Sequence, residues 1–367
     1  MNYHINVLID DYADMNLRSK LVINGVHEEA YQKKITVRTF FSVDTLIEAM
    51  AKERRKFVIV ISESKLNSEK VLWTLNEKNI HPIFIRMPFP NAYYSFSSII
   101  PNYFPAIYHL TRMILNDFPE PSVFLGYNAD SIADKNRLDG FIKAVDEYKV
   151  PHSVVTHHGD IGKSIDEFMD EIHKYKNIVC TNDVIALLLL RRMKEMNVEY
   201  IKFNITGCGN FRVGEYFKPS LTTITSDYYD LGTMAVNMYV FLFKKNQRQN
   251  MFINIDCRII LRESTHIKSK NNNKGPVPEL FGEMVDFYGD NLVKEIDSLE
   301  KMLVSCDEID KSILQGMLAN FTYEKIAEIN LLAVNTVKYR IKKMEKNLGV
   351  KSRRELLGIV KEFDLSI

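Results

Sequence analysis

The chain has 367 residues, 46% of them hydrophobic and 26% charged, with a formal net charge of +1, the make-up of two or three globular domains with packed cores. No run approaches the roughly eighteen apolar residues that a membrane-spanning helix needs. The four cysteines, Cys180, Cys208, Cys257 and Cys306, form no CxxC pair, which fits reduced thiols in a cytoplasm and excludes a zinc cluster or disulfide frame.

The first residues, "MNYHINVLIDDYADMN", have no basic flank and meet two aspartates after a short strand pattern, which is not a signal peptide. Candidate strands then follow at 5–9, 35–40, 57–61, 82–86, 122–126, 153–156, 177–181 and 203–206. Amphipathic helical segments lie between them, among them 44–53, 134–148, 164–175 and 184–196. Strict β/α alternation with buried runs of Val, Ile and Phe predicts an α/β fold with parallel sheets covered on both faces. The alternation is about twice as long as one doubly wound domain needs, so two such lobes are expected. His157-His158 is the only close histidine pair, and it reads as loop with no third ligand in sight.

At "HIKSKNNNKGPVPEL", residues 266–280, the pattern breaks into Lys, Asn, Gly and Pro, the composition of a flexible linker. Leu292, Ile296, Leu299 and Leu303 then mark a helix whose stripe packs either on the neighbouring domain or against a second chain. The remaining residues read as a small all-α unit. Asp307 and Asp310 are placed to cap one helix, Asn320 to reverse the chain in the left-handed conformation, and Thr322 to cap a second helix. In the last helix Val337, Ile341, Met344 and Leu348 form an apolar stripe, and Asn335, Lys338, Tyr339, Lys342 and Lys346 fall on or beside the opposite face. Between Thr322 and Lys361 there are ten Lys or Arg and four Glu, so the positive charge of a nearly neutral chain is concentrated here.

A short helix, a tight turn and a second helix with a cationic face describe a helix-turn-helix, whose lysines suit a DNA major groove and its phosphates. "TYEKIAEINLLAVNTVKYRIKKMEKNLGVKSRREL" resembles the LuxR/GerE-type helix-turn-helix in its "IA" at Ile326-Ala327, its "TVK" at Thr336 to Lys338, and its "LGV" followed by Arg353. The resemblance covers about residues 306–360, with departures at Asn330, Ala333 and Asn347; Ala333 replaces the family's capping Ser. It implies that Asn335, Thr336, Lys338, Tyr339 and Lys342 face double-stranded DNA, with Thr322 at the start of the preceding helix. The alternative for Tyr339 is a partly buried helix residue, and for the whole unit a module that mediates protein contacts.

Further forward, "FLGYNADSIADKNRLDGFIKAVDEYKV", "VCTNDVIALLLLRRMKE", "ITGCGNFRVGEYFKPSLTTITSDYYDLGTMAV" and "CRIILREST" occur in that order. Together they are similar to the effector-binding region of the lactose-repressor (LacI) family and related periplasmic sugar-binding proteins. The resemblance implies two lobes within residues 1–264, joined by three crossings near 100–103, 226 and 251, with ligand in the cleft. Lobe one would take about 4–101 and 226–250, and lobe two 102–225 and 251–264. A linker at 265–279, a connecting helix at 280–304 and the helix-turn-helix domain at 305–367 complete the expected organisation. On this reading the family's N-terminal DNA-binding headpiece is absent, and the DNA-binding unit comes from the other end.

Carried over by motif, the ligand contacts are Arg137 in "RLDGF", Asn182 in "TND", Tyr228 after "LTTI", and Asn210 in "GCGN". A guanidinium fork suits carboxylate, phosphate or paired hydroxyls; the bland reading of Arg137 is an ion pair between the lobes. Gly209 and Pro101 stand where the family has ligand-binding aspartates, and Ile161 where it has a stacking aromatic. Those losses point away from an ordinary neutral sugar, towards a different small-molecule effector, one held as an anion by Arg137, or a cleft that has lost affinity. The expected protein is a cytoplasmic, homodimeric, one-component transcription regulator, dimerising through the 292–303 stripe or the outer helices of the front domain. The alternative is a small-molecule-binding or scaffold protein. No P-loop, GxSxG or metal constellation supports an enzyme, and no cofactor is expected.

Overall fold

The computed structural model describes residues 4–9, 17–62, 65–87, 94–157, 159–245, 249–267, 291–363 and 365. The chain folds as two compact units, with boundaries after Tyr103, at Ser226 and after Arg258; a three-residue piece, Ser131–Ala133, clusters with the first.

The first unit runs through β1 (His4–Ile9), α1 (Leu17–Gln32), β2 (Thr36–Phe40), α2 (Val43–Met50), β3 (Phe57–Ile61), α3 (Lys65–Glu77), β4 (His81–Ile85) and β5 (Ser97–Asn102). The second holds α4 (Tyr103–Asp117), β6 (Ser122–Tyr127), α5 (Ile132–Tyr148), β7 (His152–Thr156), α6 (Ile161–Met169), β8 (Asn177–Cys180) and α7 (Asp183–Glu195). It continues with β9 (Asn204–Thr206), α8 (Arg212–Tyr216) and β10 (Thr223–Thr225). α9 (Tyr228–Lys245) and β11 (Phe252–Asp256) return to the first unit, and β12 (Arg258–Ile260) pairs with β10.

The first unit's sheet has the order β11-β5-β4-β3-β1-β2 with parallel pairing. Its central strand β3, "FVIVI", is buried throughout, and its period of two divides it between two layers. Phe57, Ile59 and Ile61 join the core under α1 and α9, while Val58 and Val60 join the opposite core with Leu46 and Leu75. α1 and α9 cross with their backbones almost touching. A Cβ on Gly25 would lie 2.0 Å from the Tyr229 carbonyl oxygen, and one on Gly232 2.1 Å from that of Val22, so both positions require glycine.

The second unit has the parallel sheet β7-β6-β8-β9. Five further helices belong to it: α10 (Asn291–Ser305), α11 (Glu308–Leu318), α12 (Tyr323–Ile329), α13 (Val334–Leu348) and α14 (Arg353–Glu362). Their ends follow the capping chemistry legible in the sequence. Asp307 and Asp310 form a reciprocal capping box, and Thr322 Oγ1 accepts from Lys325 N. Asn320 is left-handed at φ 60°, and Ala333 caps α13 without any side-chain bond.

Several expectations need adjustment. β11 pairs with β5 in the first unit, whereas residues 251–264 were expected in the second lobe. β5 was not among the expected strands; Pro101 lies within it, opposite Ile255 of β11 at the end of the sheet. The helix expected at 164–175 starts earlier, capped by Asp160, and ends at Met169 before a single 3-10 turn. The linker at 268–279, the first part of the connecting helix at 280–290, and His158 lie outside the described residues. The 292–303 stripe packs at home, with Ile296, Leu299 and Leu303 buried in one core that also holds Ile205, Val337 and Leu356. It is therefore unavailable as a dimer interface.

Candidate functional site

In an open parallel sheet, ligands collect at the carboxyl ends of the strands where the winding reverses. The order β7-β6-β8-β9 puts this reversal between β6 and β8. Residues 127–137 leave β6 there, and residues 181–183 leave β8, so Arg137 and Asn182 lie on the segments that physics alone would select.

Arg137 does not stand as an isolated cation. Its Nη1 donates to Asp134 Oδ1 at 2.5 Å, one turn earlier on α5, and Asp134 Oδ2 accepts from Asn128 N at 3.2 Å. This ion pair lies within one helix and one unit, so it is not the pair between the lobes that was the alternative reading of Arg137. A guanidinium matched by a carboxylate presents a dipolar edge, which removes the case for an anion held by Arg137 alone. Beside it, Tyr127 closes β6 with its hydroxyl buried and without a hydrogen-bond partner among the described residues. Burial, then the charges of Asp134, Asp139 and Asp130, hold that phenol above its ordinary pKa.

Asn182 is the N-cap of α7: Oδ1 accepts from Ile185 N at 3.1 Å and Nδ2 donates to Thr181 Oγ1 at 3.2 Å. Each amide group keeps one further bonding position. Asn210 is left-handed, with its Oδ1 accepting from Arg262 Nη2 at 2.9 Å. The group that draws these segments together is Asp183, which no expectation named. Its Oδ2 accepts from Phe211 N at 2.6 Å, its Oδ1 from Thr223 Oγ1 at 2.5 Å, and its own N–H donates to Cys208 O at 3.1 Å. The signal was in the sequence, since Asp183 follows Asn182 directly in "TND". Tyr228 begins α9 in the first unit, buried, with the Arg86 guanidinium 5.6 Å from its ring centroid.

The three departures from a sugar site differ in kind. Ile161 is packed in the second unit's core, so it is a structural residue rather than an altered stacking surface. Pro101 lies inside β5. At Gly209 (φ +143°) an added Cβ would meet the Phe211 ring at 3.4 Å and Asp183 Oδ2 at 3.6 Å, so the loop's backbone favours glycine although space remains.

The second candidate surface lies on α13. Val337, Ile341, Met344 and Leu348 are buried, while Asn335, Thr336, Lys338, Tyr339 and Lys342 are exposed, as is Thr322. Tyr339, at 72% exposure, is not the partly buried residue that was its alternative. Arg340 turns away from that face to bind Asp307 at 2.9 Å and Asp310 at 2.8 Å. Backbone bonding from Asp310, then Arg340, holds the Asp307 carboxyl below its ordinary range. Lys338 Nζ and the Arg353 guanidinium lie 5.6 Å and 4.9 Å from the centroid of the Tyr323 ring, a cationic pair bracketing one aromatic.

Residues 123–265 match the periplasmic-binding-protein-like domain family. Over 224 residues the chain is 23% identical to the HTH-type transcriptional regulator RegA of Clostridium saccharobutylicum, covering 58% of this chain and 66% of that one. It is 28% identical over 186 residues to the HTH-type transcriptional repressor PurR of Actinobacillus pleuropneumoniae serotype 5b, covering 48% and 54%. The chain thus spans between half and two thirds of these curated relatives. The fold is that of the transcription regulator CcpA of Lactococcus lactis (TM-score 0.58, 19% identity, 72% of this chain and 100% of that one). It is also that of a LacI family regulator from Enterococcus faecium with bound ribose (TM-score 0.57, 17% identity, 72% and 100%). Two doubly wound lobes of the periplasmic binding protein type I fold, followed by a helical region, make up this molecule. Residues 123–265 therefore form a periplasmic-binding-protein-like domain, set in a chain with the two-lobed fold of that type.

Proposed function

We propose that the protein is a cytoplasmic, non-enzymatic transcription regulator in which the two-lobed region senses a small molecule and α12–α13, a LuxR/GerE-type helix-turn-helix, binds operator DNA as part of a homodimer. One observation carries the DNA reading. α13 keeps its polar, cationic face in solvent while its other face is spent on the core, and Arg340, the one cation on the packed side, is neutralised at home. An exposed row of Asn335, Thr336, Lys338, Tyr339 and Lys342 supplies donors for phosphates and base edges. Arg137 with Asp134, Asn182, Asn210 and Tyr228 remain the effector candidates. A dipolar Arg–Asp edge favours a neutral or zwitterionic polar effector over a simple anion. Leu331, 93% exposed at the turn before α13, favours the second reading, a helical module that binds protein.

Duplex titration with varied salt separates the two. Lys338→Ala with Lys342→Ala is expected to weaken binding to a 30-base-pair duplex and to flatten the slope of log K against log salt by up to about 1.8, the worth of two phosphate contacts. Equal affinity and slope for wild type and variant would remove the DNA assignment; loss of binding on Leu331→Asp to a protein partner would favour the second reading.

A further inference from the structure

The helical region does not hang from the sensor; it shares a core with it. One contact between them is short and specific. Asp183, next to the effector candidate Asn182, holds the Phe211 amide. Two residues on, the Val213 amide donates at 2.9 Å to Glu300 Oε2, on the middle of α10. Two carboxylates from two different elements thus grip alternate amides of one three-residue turn.

Glu300 is 6% exposed. Asp183 on α7 opposes its charge and Arg212 on α8 supports it; on its own helix Asp297 and Lys301 pair with each other at 2.7 Å. A buried carboxylate held chiefly by backbone amides keeps its solvation only while the turn keeps its shape. Burial pushes its pKa up to about 7. α10 also packs on α13, with Met302 and Leu303 in the same core as Val337 and Ile341, and Asn347 Nδ2 donates to Ser305 Oγ at 2.7 Å. α8 and α7 add further grips. The Phe217 ring meets Phe363 at 6.5 Å, Lys311 Nζ lies 5.5 Å from the Tyr216 ring centroid, and Arg191 pairs with Glu362.

We propose that α10 is the transmission element between effector site and DNA-facing helix, with Glu300 as the positioning residue that reads the 211–213 turn. Effector acting on Asn182, Asn210 or Asp183 shifts that turn, and α10 carries the shift to α13. The inference rests on the DNA reading given above.

The experiment is a mutational cycle on the full chain, read by amide hydrogen exchange without DNA. Thr223→Val removes one donor to Asp183 with little change of volume. It is expected to speed exchange at least threefold in residues 208–216 and also in residues 334–348. In a Glu300→Leu background, which removes the acceptor for the Val213 amide, the effect on 208–216 should persist, while that on 334–348 should fall below 1.5-fold. Unchanged exchange in 334–348 on Thr223→Val alone, or an undiminished effect in the Glu300→Leu background, overturns the proposal. If Thr223→Val does not fold, Asn210→Ala, which frees Arg262 at the other end of the same loop, takes its place with the same criteria. Binding of a 30-base-pair duplex is measured separately. A wild type that shows the cycle but binds no duplex sinks the DNA reading and leaves the transmission path standing; a chain that binds duplex without the cycle does the reverse.

Discussion

Glu300 makes a stability prediction of its own. Its carboxyl, ordinarily near 4.5, titrates at about 7 in the fold because burial outweighs the amides that favour the charged form. A folded pKa above the unfolded one means the folded state binds the proton more tightly. The contribution to stability is complete below pH 4.5 and is lost as pH rises through 7. A shift of this size corresponds to a loss on the order of 3 kcal/mol. Glu300→Gln cannot ionise, so urea unfolding at pH 5 and pH 8 should show a smaller decline for the variant, which becomes the more stable chain at pH 8. Parallel declines in wild type and variant would mean that Glu300 is ordinarily ionised. Arg137 shows how a residue's partner changes its meaning. As a motif residue it suggested a lone cation for an anionic ligand, and Asp134, three positions before it, was the information needed to read it otherwise.

At the scale of elements, α13 begins with a defect. Ala333 has the extended conformation of an N-cap, φ −73° and ψ 145°, yet offers no side-chain acceptor to the free amides behind it. Ala333→Ser should stabilise the helical region by about 1 kcal/mol, seen as a rise of a few degrees in its thermal midpoint. No change would mean that the first turn of α13 is satisfied from elsewhere. Caps and stripes of this kind were legible because they act within a few residues. The capping box at Asp307 and Asp310, the left-handed Asn320 and the buried stripe of α13 all follow from spacing alone. Leu331 was not legible: a left-handed leucine at φ 53° runs against its own steric preference and is imposed by the turn around it. Likewise β11 looked like part of the second lobe, because strand pairing is decided by a partner, β5, about 150 residues away in a sequence that contains Pro101. The candidate site divided the same way. Asn182 and Arg137 came from motif position, whereas the roles of Asp183 and Tyr127 depend on which strands lie side by side.

For the whole molecule, the composition at residues 266–280 suggested a DNA-binding domain joined by a flexible linker. The core says otherwise. Val213, Phe217 and Leu221 of the α/β region belong to one cluster with Ile296, Ile313, Ile341 and Phe363 of the helical region. Phe217 alone, fully buried and facing the Phe363 ring, would cost about 1.5–3 kcal/mol to expose. Glu300 would lose the Val213 amide in the same step. A separation that uncovers several such groups is too costly beside the 5–15 kcal/mol that holds a whole domain together. The helical region and the α/β part of the second unit should therefore open as one cooperative block. Exchange measured through a urea series should give the slowest amides of residues 334–348 and of β8 the same opening free energy and the same denaturant dependence. If residues 334–348 open at lower urea with a smaller slope, the helices are a tethered module, and α10 has no rigid path along which to carry a signal.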